Sequence, residues 1–388
     1  MSIWSEIEKI SNKNKSRHAI GETSGESSIF RSYSRLINDS LAAAVLIDKL
    51  GGTEIKAANL SAYYTAVLTL ACSRLGAHLT FSDSQAGGIW LGDDFISDTE
   101  LPTVLEGILS FPALPSLPPP KSEMLITFQG GVTYSEASAL FSARAFSDGT
   151  ALLSSDKLMF LPCANTPEGL FCGILSPLIK GATSIKCSDA RNMLKSMKLT
   201  SPTQLFCGQI EARALLLRLL RIKKLHLHEI NKSESDSDLR LMTDPTLIAV
   251  RRLIRPKILY ALGGKLKAVT VLGELSQRRT RAFFSFGILA TSVHTEKGLC
   301  PALFHYGGDK RGVWRLPRDC RADICHAEKG GIGKILIFSP ALREGESIDS
   351  TYVPLEKHFD GDNSALVTTL SGYILKDGSV FAVKQSAI

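Results

Sequence analysis

The stretch best suited to chemistry is TFQGGVTYSEAS, Thr127 to Ser138, which follows the apolar run Met124-Leu125-Ile126. Two adjacent glycines after an apolar run have the form of a phosphate-cradling loop, because glycine lets the backbone approach an anion and present its N–H groups. Gly130, Gly131 and Thr133 would make that cradle. The stretch holds no lysine or arginine, and its one charged residue is Glu136. The loop therefore has the shape for an anion without a cation to hold it.

Other constellations are weaker. His226-Leu227-His228 alternates as a strand would, which puts both imidazoles on one face, open to a metal ion or simply to solvent. Cys300, Cys320, Cys325 and His326 suggest zinc, but the spacing fits no common zinc module, and none of the eight cysteines forms a CxxC pair. Buried or free thiols are the expectation for all eight. Ser154, Ser155 and Ser276 lie in no GxSxG elbow, which argues against a serine hydrolase. Two arginine groups, Arg251-Arg252 with Arg255 and Lys257, and Arg278-Arg279 with Arg281, suit either ordinary solvation or an acidic partner such as a carrier protein.

The elements that must position these residues follow from composition and period. The chain has 388 residues, 44% hydrophobic and 21% charged, enough for one large or two medium domains. Its formal charge of +7 is dispersed, with no basic run interleaved with aromatics, so nucleic acid is not an expected partner. The N-terminal stretch lacks the apolar region of a signal peptide, and no stretch approaches the roughly 20 apolar residues of a membrane helix. A cytoplasmic setting with reduced thiols is the expectation.

Residues 1–29 are polar and read as a helix-poor or frayed lead-in. From Phe30 strands alternate with helices. A helix over Ser32–Gly52 stops at two glycines, another ends near Gly76 before the strand HLTFS, and SSDKLMFLPC, ATSIKC, SPTQLFCGQ and LKAVTVLGE read as strands. GLFCGILSPLIKG reads as a buried helix, and IEARALLLRLLRIKKL as a helix with one apolar face. This rhythm predicts an α/β fold with helix-covered sheets over 30–290. Short strands and the hairpin LKDGSVF, turning at Asp377-Gly378, predict a small β-rich subdomain over 291–388.

In that order the segments resemble the large N-terminal domain of the adenylate-forming superfamily, which comprises acyl- and aryl-CoA synthetases, luciferases and peptide-synthetase adenylation domains. The likeness runs from about Phe30 to Ile388 and is carried by SYSRLINDSLAAAVLIDKLG, AYYTAVLTLACSRLGAHLTF, DKLMFLPCANTPEGLFCGILSPLIKGATSI, SPTQLFCGQIEARALL and LKAVTVLGELSQRRTRAFFSFG. The resemblance implies sheets sandwiched by helices and the activation of a small carboxylic acid or acyl or aryl group, with ATP and magnesium as cofactors if the protein is active and none otherwise.

It also implies roles that this sequence meets unevenly. The family's phosphate loop has hydroxyls and a lysine, where this chain has Phe128 and Glu136. At about 4 Å and a surface-like dielectric, that charge reversal shifts the interaction with a triphosphate by several kcal/mol. The family's second motif falls on Ser292-Val293-His294-Thr295-Glu296, retaining the threonine that meets phosphate and the glutamate that holds magnesium. Its adenine-platform aromatic and glycine are missing. Gly273 and Glu274 match the turn beside the acyl pocket, with His294 as a further substrate-site residue. The ribose aspartate falls on Leu370, after Thr368-Thr369. The hinge arginine falls near Lys384-Gln385, three residues before the end, so the lid domain is expected to be absent. Together these imply a non-catalytic or impaired binding partner in a carboxylate-activation or biosynthetic pathway. The alternative is an active AMP-forming ligase using a lid or acceptor, such as a carrier protein or partner enzyme, from another chain.

Overall fold

The computed structural model describes residues 2–84, 86–92, 94–110, 117, 119, 123–226, 259–260, 262–296, 299–325, 332–340, 342, 352–353 and 365–383. The strands are β1 (His18–Thr23), β2 (Ser28–Ser32), β3 (Glu54–Ala58), β4 (His78–Phe81), β5 (Gly88–Leu91), β6 (Asp94–Ser97), β7 (Leu125–Thr127), β8 (Thr133–Ser135), β9 (Lys157–Phe160), β10 (Thr183–Cys187), β11 (Gln204–Gly208), β12 (Ala268–Leu272), β13 (Leu289–Glu296), β14 (Leu299–Tyr306), β15 (Val313–Trp314), β16 (Arg321–Cys325), β17 (Gly333–Phe338), β18 (Tyr352–Val353), β19 (Ala365–Ile374) and β20 (Val380–Val383).

Among the described residues, three sheets result. The largest runs β14-β13-β12-β11-β9-β10-β1-β2, with β13 through β1 parallel and the two outer strands antiparallel. A second runs β6-β5-β3-β4-β7-β8, with β3, β4 and β7 parallel. The third is antiparallel, β15-β20-β19-β17-β16, with β18 on β19. The first sheet continues to Tyr306, and the small sheet begins at Val313.

Side-chain alternation on the strands explains the layers. On β9, Leu158 and Phe160 enter one core while Met159 enters another. On β11, Phe206 goes one way and Leu205 and Cys207 the other. Successive side chains of a strand face opposite sides, so strands apolar throughout must be covered on both faces. One cover comes from α1 (Ile3–Lys13), α2 (Tyr33–Lys49), α3 (Ala62–Leu75), α5 (Glu136–Gly149) and a π-helical segment, Glu168–Leu175, that continues into α6 (Ser176–Lys180). The same core takes in Ile55 and Leu79 of the second sheet and Leu101 and Leu105 of α4 (Leu101–Leu109), which packs on α2. The opposite cover is α7 (Met193–Thr200), α8 (Gln209–His226) and α9 (Gln277–Ser285), through Met197, Leu215, Leu219, Phe283 and Phe286. The expected α/β sandwich with a small β sheet is the fold observed.

Local signals set the helix ends. Ser32, Ser61 and Ser135 each cap a helix by accepting the N–H three residues on. Gly76 closes α3 in the left-handed region at φ 70°.

The N-terminal expectation needs correction. Residues 3–13 form α1, with a Ser2–Ser5 capping box and Ile3, Trp4 and Ile7 buried. Residues 18–23 form β1, an interior strand of the largest sheet. Sparse apolar residues at helical spacing suffice to dock a short helix once a core exists to receive them, which composition does not reveal. The strand-like reading at 226–228 is also corrected at its first residue, since His226 closes α8; residues 227 and 228 lie outside the described residues, as do Arg251, Arg252, Arg255, Lys257, His326, Lys384 and Gln385.

One glycine tests the π-helical segment. A Cβ on Gly169 would stand 1.6 Å from the carbonyl oxygen of Cys163, while one on Gly107, exposed on α4, would meet nothing within 4 Å. Gly169→Ala should cost about 3 kcal/mol or more, and Gly107→Ala should gain about 0.5–1 kcal/mol. Urea unfolding of the two variants beside the parent checks both signs.

Candidate functional site

A cleft of about 390 Å³ opens where the glycine hairpin, the start of the π-helical segment, the end of β13 and strand β19 meet. Phe128, Gln129, Gly130, Val132, Tyr134, Pro167, Glu168, Thr295, Glu296, Cys300 and Thr369 line it.

The glycine loop is a tight hairpin between β7 and β8. Gly130 and Gly131 take φ of 88° and 79°, a region open to residues without a Cβ. Its donors are partly used within the turn. Phe128 N–H bonds to Val132 O at 2.9 Å, and Gly131 N–H to Phe128 O at 3.1 Å. Thr133 Oγ1 lies 2.8 Å from Thr127 Oγ1, within the hairpin rather than toward the cleft residues. Phe128, at the family's hydroxyl position, is buried: it stacks on Phe81 with centroids 5.3 Å apart and meets the edges of Tyr134 and Phe171. It anchors the loop to the core.

Glu136 is not part of this cleft. It begins α5, where Ser135 caps the helix, and its carboxylate is buried against α1. Its Oε1 accepts Ile3 N–H at 2.7 Å and the Ser73 hydroxyl, while Ser73 Oγ accepts Trp4 N–H at 2.8 Å. Glu136 and Ser73 thus satisfy N–H groups that the first turn of a helix leaves open, at the positive end of its dipole. The expectation that Glu136 occupies a phosphate-facing position is overturned by this burial.

Thr295 and Glu296 do reach the cleft together. Adjacent strand residues normally face opposite ways, but the β13–β14 register shifts between His294 and Glu296, and such an irregularity re-aims a side chain. Thr295 Oγ1 donates to Glu168 Oε1 at 3.2 Å. Glu296 Oε1 accepts Thr369 N–H at 2.8 Å and Thr369 Oγ1–H at 2.7 Å, and lies 2.8 Å from His294 Nε2. Burial alone would raise the Glu296 carboxyl; the hydrogen bonds from His294 and Thr369 outweigh it and hold the group below the usual carboxylate range. His294 stands behind Glu296, edge-on to Trp314 at 6.0 Å. A carboxylate on the large sheet thereby clasps the small sheet.

Gly273 and Glu274 are not in the cleft lining. Gly273, at φ 90°, bonds by its N–H to Val293 O at 2.8 Å, and Leu275 N–H bonds to Ser292 Oγ at 2.9 Å, so this turn is tied to β13. A Cβ at Gly273 would meet Gln209 Nε2 at 2.5 Å, so the Gln209 amide fills the space beside the turn. Leu370 packs against the core of the small sheet while Thr369 lines the cleft.

Sequence reasoning missed Glu168 and singled out Cys300 only as a fourth zinc ligand. Glu168 follows a parallel strand and opens a helix, the place where open α/β sheets carry their ligand groups, and Pro167-Glu168-Gly169 marks that start. Nothing local distinguishes Cys300, which comes within 3.7 Å of Cys172, sulfur to sulfur. Burial pushes the Cys300 thiol well up. Among the described residues no group of three or more His, Cys, Asp and Glu could hold a metal ion, and no helix is long and apolar enough to cross a membrane.

The fold has known counterparts. VinN with L-aspartate superposes at a TM-score of 0.71 and 14% identity, covering 99% of this chain and 98% of that one. A benzoate CoA ligase from Burkholderia xenovorans LB400 matches at 0.69 and 13%, covering 100% and 80%. The anthranilate CoA ligase AuaEII in complex with anthranoyl-AMP matches at 0.68 and 13%, covering 100% and 79%. This chain has the fold of adenylate-forming enzymes. No protein-family model matches the sequence, and no curated protein does.

An ATP–magnesium pair fits this cleft poorly. No lysine or arginine is among its described lining residues, while two carboxylates are. Glu296 offers the hard oxygen that magnesium prefers, yet its Oε1 already meets three groups.

Two expectations follow. Glu136→Lys should destabilise the fold by about 3 kcal/mol or more, because α1 loses a buried acceptor and gains a buried cation. Burial raises the Glu136 carboxyl despite the hydrogen bonds from Ser73 and Ile3. A raised acid costs stability as pH climbs through its range, so Glu136→Gln should match or exceed the parent at pH about 7 and lose that advantage below about 4. Urea midpoints at the two pH values check this.

Glu296 works in the opposite direction. Its depressed carboxyl contributes stability in full above the ordinary value of about 4.3, and that contribution is lost as pH falls through the lower folded value. In Glu296→Gln this acid-limb loss should shrink, seen as a flatter dependence of thermal midpoint on pH below about 4.5.

Proposed function

We propose that this protein is a binding or partner protein built on the adenylate-forming fold, with ATP-dependent catalysis impaired or lost. The observation that carries the reading is the cleft's charge: Glu168 and Glu296 face it, with no cation among its described lining residues. A triphosphate would enter a field of its own sign. The Glu296–Thr369 clasp supports the same reading, since it spends on bracing the small sheet a carboxylate the fold's enzymes would give to magnesium. Gln209 beside Gly273 adds to it, filling space that an acyl group would need. We place the boundary between the α/β core and the small β-rich subdomain between Tyr306 and Val313, later than the 290/291 expected from sequence because β13 and β14 belong to the large sheet, and the protein in the cytoplasm. Its ligand class on this reading is a small carboxylic acid or its acyl or aryl derivative, in keeping with neighbours that hold L-aspartate and anthranoyl-AMP. A carrier protein or partner enzyme would be its macromolecular counterpart.

One observation favours a second reading. Gly130, the adjacent pair Thr295 and Glu296, and Thr369, from three distant parts of the chain, converge on one cleft. That convergence suits an AMP-forming ligase that activates a carboxylic acid with a lid or acceptor supplied by another protein, ATP and magnesium entering in that company.

Calorimetric titration with ATP and magnesium separates the two. The first reading expects no saturable heat at micromolar nucleotide, and micromolar binding overturns it. Acid-dependent exchange of pyrophosphate into ATP, with or without an added partner, would establish the second.

A further inference from the structure

We propose that Cys172 and Cys300 form a reversible disulfide beside the cleft that Cys300 lines, closed by a small hydroperoxide that enters through it. The proposal stands on geometry and does not depend on what the cleft binds. The two sulfurs lie 3.7 Å apart, in contact without a bond, although 128 positions separate them in sequence. Both thiols are buried, Cys172 at 0% and Cys300 at 1% exposure. Cys300 nevertheless forms part of the cleft wall, and the cleft's volume of about 390 Å³ far exceeds a peroxide molecule. A reagent too large for the cleft has no such route, which separates this pair from the exposed Cys163.

The chemistry balances with a hydroperoxide as the oxidant. The Cys300 sulfur attacks one peroxide oxygen, the O–O bond breaks, and the thiol proton passes to the departing oxygen, so the sulfur becomes a sulfenic acid while water or an alcohol leaves. The Cys172 sulfur then attacks the Cys300 sulfur, the S–O bond breaks, and a second water leaves. Two thiols lose two hydrogens in all, and the peroxide takes both electrons. A disulfide needs sulfurs about 2.05 Å apart, so the pair closes by a further approach of the π-helical segment and β14. The first carries Glu168 at its start; the second pairs with β13, where Glu296 stands opposite Leu299. The bond would pin together the two walls that present the cleft's carboxylates.

The test treats the full chain with hydrogen peroxide under native conditions, alkylates remaining thiols, and maps peptides without reduction. The expected result is a linked Cys172–Cys300 peptide, reverted by dithiothreitol, and a loss of two titratable thiols in a Cys163→Ser variant. The link should be missing in Cys300→Ser. Recovery of Cys172 and Cys300 as alkylated thiols from peroxide-treated native protein overturns the proposal, as does a link that forms only in denaturant. The mapping uses the parent chain, so it is decisive even if a cysteine variant fails to fold.

Discussion

Six parallel strands buried on both faces are the constraint from which the rest of the molecule follows. Such strands have no polar face to offer water, so helices must cover both sides. Leu158 and Phe160 commit one face of β9, and Met159 the other, to separate cores. Strand and helix then alternate, and the turns after the strands collect at one end of the sheet. The Pro162–Glu168 stretch, the Gly273 turn and the end of β13 follow from this. Even the helix nearest the N-terminus serves the arrangement, since Ile3 and Ile7 complete the same core as Phe160 and Phe171.

Electrostatics decides what this geometry can do. A cleft at such a position commonly meets anions with backbone N–H groups and cations. Here the glycine hairpin uses Phe128 and Gly131 N–H within its own turn, and the nearest acidic residue that sequence offered, Glu136, is turned away to hold the start of α1. The carboxylates that do face the cleft are engaged: Glu168 accepts from Thr295, and Glu296 from Thr369. Hydrogen bonds to a buried carboxylate both lower its proton affinity and fix its position. The same contact ties the small sheet to the large one, so a residue that braces the fold also lines the cleft.

The secondary structure was largely legible because period and punctuation are local. Ser32 and Gly76 announced their helix ends, and Asp377-Gly378 its hairpin. The α1 helix was not legible, because Ile3, Trp4 and Ile7 sit among polar residues and gain their meaning only from a core contributed by residues far along the chain. The site was half legible. Gly130 could be named from its pattern, and Thr295 and Glu296 from the family resemblance, and all three line the cleft. Glu168 could not, and Cys300 reads only as a zinc candidate, because neither stands in a local arrangement that marks this cleft.

What the sequence determined by itself is the layered α/β architecture, since alternating apolar runs of strand and helix length admit few other ways to bury their surface. What only the tertiary structure decided is which charges meet. Glu136 stands six residues after Gly130 yet faces α1, because the capped start of α5 points it there. Glu296 and Thr369 lie 73 positions apart yet share hydrogen bonds. Direction of a side chain depends on the element that carries it, and proximity across elements depends on packing, and neither is written in spacing along the chain.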